Sequence, residues 1–362
     1  MFAACQYPKI FTAILLALPL ITWASAEPQN NQNFTFQYQG LEYSGLIQYP
    51  ESEPTALVVI IPGHGKTDLV NGEQWNRERN FFLDMGLSVV VWDRAGCGDS
   101  EGEYNHHQSV QSSAEEARAA LAKIRKLTVP GSHKTGYWGL SRAGWIVPLA
   151  IRGDKDIAFW ISVGGTDQYE TFPYMLASNY RLQGNSEKAV KQLMQEWDFA
   201  WRAMRGDTSY KAFLEGTQML AENTFLKEMG FSIPDKSEYR KMQKHNRNNK
   251  GTTLWDEQNG REIIVPGFAK LLSELNIPVL ALFGELDSKV DWRGAKSLYE
   301  HSIGNKPQAD LSIKVFPKCS HAMFKCETGA YGEDLSQFGW EACEGYLDTM
   351  KSWLIKHRIA KP

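Results

Sequence analysis

Few residue types are concentrated anywhere in this sequence. Basic and acidic residues nearly cancel, 39 against 42, for a net charge of -3. No global excess of one sign points to nucleic acid or an acidic polymer as a partner. Cysteine is scarce, five in 362 residues, and the spacing does not suit a structural zinc site. There is no internal repeat and no low-complexity tract. Past residue 26 no run is long and apolar enough to cross a bilayer core of roughly 30 Å. Nothing in the residues calls for a metal or cofactor.

The beginning of the chain is more informative. Lys9 closes a short polar region, Ile10 to Trp23 is apolar, and Ala24-Ser25-Ala26 supplies small residues at cleavage positions. This is the layout of a removable secretory signal, with a mature start near Glu27 and a periplasmic or secreted destination. Cys5 would leave with it. Cys97, Cys319, Cys326 and Cys343 then remain in an oxidising setting, where disulfides persist. Four cysteines allow three pairings and sequence does not choose among them; Cys326 with Cys343 and Cys97 with Cys319 is the working expectation.

Asn33 to Tyr49 reads as a hairpin turning at Gln39-Gly40. Continuous apolar runs at Ala56 to Ile61, Leu87 to Asp93, Thr135 to Leu140, Ile157 to Val163, Pro278 to Phe283 and Leu311 to Phe316 read as strands covered on both faces. Helix-like stretches lie between them, at Trp75 to Met85, Ser109 to Leu127, Ala143 to Arg152 and around Gly294 to Ile303, and Trp340 to His357 closes the chain. Alternation of this kind predicts βαβ units: an α/β fold with a mostly parallel central sheet, helices on both faces, and loops gathered on one rim. The hairpin would add antiparallel strands at an edge.

Thr166 to Ala269 breaks the rhythm. Val190, Leu193, Trp197, Trp201 and Met204 recur at helical spacing after Asn185 or Ser186, either of which is a suitable N-cap. The expected organisation is therefore a signal at 1–26, a first core portion at 27–165, an inserted helical cap at 166–269, and a second core portion at 270–362. The basic stretch from Lys236 to Lys250 reads as a solvated helix face.

Chemistry concentrates in Gly139-Leu140-Ser141-Arg142-Ala143, between a strand and a helix. A nucleophile on so sharp a turn needs small residues two places before and after it, and Gly139 and Ala143 meet that need. Serine requires a base. His321, just past the last strand, is the best placed of eight histidines, ahead of His64, His106 and His107. Asp287, past the strand ending at Phe283, is the expected acid, with Glu285 and Asp291 as alternatives. Two amides should receive an oxyanion: the Arg142 N–H, and the His64 or Gly65 N–H in the loop IPGHGKTD, His64 being favoured.

The series IIPGHGKTD, VVVWDRAGCGDSEG, YWGLSRAGWIVPLA, ALFGELDSKVD and PKCSHAMF resembles the α/β-hydrolase superfamily, and within it secreted bacterial esterases and prolyl-oligopeptidase-like hydrolases with a helical cap. The resemblance covers roughly Phe34 to Gly165 and Pro278 to Pro362. It implies structural roles for Asp93 and Arg94. Together with the residues it leads to an expected serine hydrolase, acting without cofactor on small acyl substrates. Carboxylic esters are the first choice and short peptides the alternative; a non-catalytic binding protein of the same fold is the reading from another class.

Overall fold

The computed structural model describes residues 31–248 and 254–362. The expected signal at 1–26 and Lys250 lie outside the described residues. The chain opens with strands β1 (Asn31–Tyr38) and β2 (Leu41–Gln48), joined at Gln39 and Gly40, both with positive φ. Two left-handed residues in succession give the turn whose twist matches that of paired strands.

β3 (Ala56–Ile61), α1 (Asn76–Asp84), β4 (Leu87–Trp92), α2 (Val110–Leu127), β5 (Thr135–Leu140), α3 (Ala143–Ile151) and β6 (Ile157–Val163) follow. The insertion then contributes α4 (Phe172–Leu182), α5 (Glu187–Arg205), α6 (Tyr210–Glu215), α7 (Gln218–Glu222), α8 (Thr224–Glu228), α9 (Lys236–Asn248) and the short strands β7 (Leu254–Asp256) and β8 (Arg261–Ile263). After α10 (Phe268–Ser273), the chain returns through β9 (Val279–Gly284), α11 (Trp292–Tyr299), β10 (Leu311–Phe316) and α12 (Tyr346–Lys356).

The central sheet has the order β1-β2-β4-β3-β5-β6-β9-β10. It is antiparallel only within the hairpin and where the hairpin joins β4. Every residue of β3, β4, β5 and β9 is buried. Leu57, Val59 and Ile61 face one apolar cluster, while Ala56, Val58 and Ile60 face the other. A strand sandwiched between two helical layers has no polar face to show, which explains the continuous apolar runs. α2 lays Ala114, Ala117, Ala120, Leu121 and Ile124 on the sheet, and the Ser109 hydroxyl caps it by accepting from the Ser112 N–H at 3.1 Å.

The insertion has its own core around Leu176, Leu193, Phe213, Leu220, Phe225 and Tyr239. Ser186, rather than Asn185, caps α5. Two local features differ from the sequence reading. The β7–β8 hairpin is an addition to it, and α12 starts at Tyr346 instead of Trp340 because Cys343 is held in a disulfide and Gly345 turns with φ 73°. Among the described residues no helix is long and apolar enough to cross a membrane.

Candidate active site

β5 ends at Leu140 and α3 begins at Ala143, so the chain reverses within two residues. Ser141 takes the strain, with φ 56°. A non-glycine residue held there costs on the order of 1–3 kcal/mol, offset by the packing around it. Space decides the neighbours: a Cβ on Gly139 would lie 2.8 Å from Ala143 Cβ, so position 139 admits no side chain while alanine fits at 143. The Ser141 N–H donates to Val163 O at 2.9 Å, fastening the turn to the end of β6. As the first residue of the helical turn, Arg142 has an N–H without an intrahelical acceptor.

His321 reaches this point from three strands away. From β5 to β10 the sheet spans roughly 14 Å at about 4.8 Å per strand. The chain after β10 folds back over β9: the Leu286 N–H bonds Cys319 O at 3.0 Å, and a Cβ on Gly284 would strike Ser320 O. The imidazole then lands on Gly164, where φ is +52° and a Cβ would sit 3.0 Å from both Cε1 and Nδ1. Ser141 and His321 thus both lie against the 163–164 segment. Among the described residues the Ser141 hydroxyl makes no hydrogen bond, to His321 or any other group.

His321 Nδ1 and Asp287 Oδ2 are 2.7 Å apart, with Asp287 only 3% and His321 8% exposed. The other carboxylate oxygen, Oδ1, accepts from the N–H groups of Lys289 (2.8 Å) and Val290 (2.9 Å). Glu285 is exposed, and Asp291 is used in capping α11 through the Gly294 N–H. Geometry therefore separates Asp287 from its two alternatives. α4 also braces the acid: Tyr174 donates to Asp287 O at 3.2 Å, while Asn179 approaches Ser288 O at 3.4 Å and accepts from the Tyr331 N–H at 2.7 Å.

The cysteines pair differently from expectation. Cys319 bonds Cys343, while Cys97 and Cys326 are buried free thiols. The reason is register. Cys319 pairs opposite Lys325, and the Cys343 N–H bonds Met323 O, which sets Cys319 and Cys343 on the same side of the loop. Cys326, one residue beyond Lys325, points to the other side. Burial pushes its thiol up to about 11.

The loop after β3 lies beside Ser141 because β3 and β5 are parallel neighbours, with Ile61 opposite Gly139. A Cβ on Gly63 would be 3.3 Å from Ser141 Cβ. The loop is held from below by the segment after β4. Arg94 donates to Pro62 O at 3.2 Å, and also to Gly63 O and Gly65 O. Its own N–H donates to Thr67 Oγ1 at 2.8 Å, and Asp93 accepts from the Leu69 N–H at 2.8 Å. The resemblance marks Arg94 as structural; its grip on three carbonyls is not legible in sequence, which carries no peptide orientation.

The His64 ring meets His106 at 3.2 Å. Its pKa is lowered to about 4 by partial burial first and then by His106, Arg142 and Arg94. The Arg142 guanidinium is tied to Ser113 Oγ at 3.0 Å and to Gln108 O, and burial together with Arg94 brings it down to about 10. Glu116, buried nearby, accepts from Trp92 Nε1 at 2.7 Å and Gln108 Nε2 at 2.9 Å. Of the remaining histidines, His107 meets the His106 ring edge-on with centroids 5.2 Å apart, while His133 lies in a 3₁₀ turn, His245 on α9, His301 is bonded to Ser297 O, and His357 is tilted against Trp353. On α9, Lys236, Arg240, Lys241 and Lys244 are exposed, as expected of a solvated face.

This arrangement defines an α/β-hydrolase fold. The solved structure of esterase Pf2001 from Pyrococcus furiosus superposes with a TM-score of 0.50 at 11% identity, covering 90% of each chain. Est1E from Butyrivibrio proteoclasticus, solved with ferulic acid bound, gives 0.50 at 14% identity over 90% of this chain and 99% of its own. Among curated proteins, the quorum-quenching protein AidA of Acinetobacter baumannii is 28% identical over 138 residues, 37% of this chain and 44% of that protein. The monoglyceride lipase of Saccharomyces cerevisiae is 26% identical over 163 residues, 44% of this chain and 41% of the lipase. The chain thus spans less than half the length of the curated relatives it matches. No family model matches it.

Proposed function

We propose that this protein is an exported serine hydrolase that cleaves carboxylic esters or related acyl compounds. The observation that carries the reading is the buried 2.7 Å pair of His321 and Asp287, seated on Gly164 next to the residue whose carbonyl binds the Ser141 amide. Ser141 Oγ attacks the substrate carbonyl carbon and its proton passes to His321 Nε2. Asp287 holds the proton on Nδ1 and stabilises the imidazolium. The oxyanion is received by the N–H groups of Arg142 and His64, neither of which has an acceptor among the described residues. Collapse expels the alcohol, which takes the proton from His321, and leaves an acyl-serine. A water then gives its proton to His321 and attacks the acyl carbon. The acid departs and Ser141 regains its proton.

In this reading the core portions at 27–165 and 270–362 carry the three catalytic residues and the insertion at 166–269 would line the acyl pocket. The names of the similar esterases and the lipase support small acyl substrates. Export is supported by the disulfide bond, which persists in oxidising compartments. Two measurements test the proposal. Ser141→Ala should keep its melting temperature and lose turnover of a p-nitrophenyl ester, and unchanged turnover refutes the assignment. The protein recovered from the producing cell's exterior or periplasm should begin near Glu27; an intact Met1 in the cytoplasm refutes export.

A further inference from the structure

We propose that Arg94 is the positioning residue of the oxyanion hole: its guanidinium fixes the peptide planes after β3 so that the His64 N–H faces the reacting oxygen. This rests on the acyl-transfer reading above. Three of four consecutive carbonyls, on Pro62, Gly63 and Gly65, turn toward one planar cation. In a trans peptide the C=O and N–H of one plane point in opposite directions. With Gly63 O on Arg94, the His64 N–H is therefore directed away from the guanidinium. That same stretch of backbone lies against Ser141, as the 3.3 Å approach of a Gly63 Cβ to the serine shows. The Gly65 N–H belongs to the His64 carbonyl's plane, which Arg94 does not hold.

The loop has no strand partner to set its planes. If the 63–64 plane turned over, the hole would present a carbonyl to the oxyanion in place of a donor. Arg94 opposes that rotation with forked bonds, and it is anchored through Thr67, while Asp93 holds Leu69. A lysine keeps the charge but has no rigid fork to span three acceptors. The positive charge behind the polarised carbonyls also favours the anionic intermediate over the neutral substrate.

The test uses the mature protein and its Arg94→Lys and Arg94→Met variants. Active sites are counted by fluorophosphonate labelling of Ser141. For each variant kcat per labelled site, KM on a p-nitrophenyl ester and the Ki of an alkylboronic acid are measured, since the boronate forms a tetrahedral anion on the serine. Arg94→Met should lose kcat by about a hundredfold with KM changed less than about threefold, as expected for a lost oxyanion donor. Boronate affinity should fall in step with kcat/KM, and Arg94→Lys should lie between. A merely structural role would lower the number of labelled sites and leave kcat per site and Ki unchanged, which overturns the proposal. If Arg94→Met does not fold, the lysine variant carries the same readings. Wild-type protein that fails to label at Ser141 overturns the acyl-transfer reading; labelled wild type with variants that match it overturns only the role of Arg94.

Discussion

Asp287→Asn is the substitution whose effect follows most directly from the geometry. Asparagine has nearly the same shape as aspartate, but one of its two terminal atoms is a donor. The orientation of the new amide is decided by the turn that follows: the N–H groups of Lys289 and Val290 both point at Oδ1, at 2.8 and 2.9 Å. The amide oxygen must stay there, because an NH₂ group facing two N–H donors would leave all three unpaired. The NH₂ then faces His321 Nδ1, at the position where Oδ2 now lies 2.7 Å away. A donor there requires Nδ1 to accept, so the imidazole carries its proton on Nε2 and has no lone pair for the Ser141 hydroxyl. The fold keeps its turn bonds, while the base is locked in the wrong tautomer. The loss in kcat should be on the order of 10⁴-fold, the scale known for this change in serine proteases. Steady-state hydrolysis of a p-nitrophenyl ester, with circular dichroism to verify folding, measures it. A folded variant that keeps a tenth of wild-type kcat would refute the claim that Asp287 sets the tautomer.

Three further outcomes are expected. Gly164→Ala places a methyl 3.0 Å from the imidazole and an alanine at φ +52°, so His321 must shift by a few tenths of an ångström; kcat should fall roughly ten- to a hundredfold, and activity within about twofold of wild type argues against the seat described. Loss of the Cys319–Cys343 bond, which closes a sequence separation of 24, should lower stability by about 3 kcal/mol in chemical denaturation, while Cys97 and Cys326 stay unreactive to thiol reagents until the protein unfolds. For His64 the folded pKa, about 4, lies below the ordinary 6.5. The folded state therefore binds fewer protons than the unfolded one, and its stability declines as pH falls from about 6.5 toward 4. His64→Gln should flatten the melting temperature over that window, and an unchanged acid slope would rule the group out as its source.

The sheet was legible because burial on both faces leaves strands such as Ala56–Ile61 and Val279–Gly284 without polar residues. The sharp turn at Ser141 was legible for a steric reason, since the tight reversal restricts positions 139 and 143. Sequence favoured Asp287 but left Glu285 and Asp291 open, because all three follow the same strand; the 2.7 Å contact with His321, whose loop crosses above β9, falls on Asp287. The disulfide pairing failed for a related reason. Which of Cys319 and Cys326 meets Cys343 depends on the register of a short irregular pairing that leaves no periodic signal. The β7–β8 strands, three residues each, are too short to show alternation.

The brace between α4 and the loop carrying Asp287 limits where the insertion tolerates substitution. Tyr174 and Asn179 belong to the insertion by chain position, yet their bonds end on the backbone of Asp287, Ser288 and Tyr331. The first helix of the insertion is in this sense a strut of the loop that carries Asp287. The exposed face of α9, with Lys236, Arg240, Lys241 and Lys244, carries no such bond to the acid loop, so substitutions there leave the carboxylate's footing intact, whereas a change at Tyr174 or Asn179 reaches it directly.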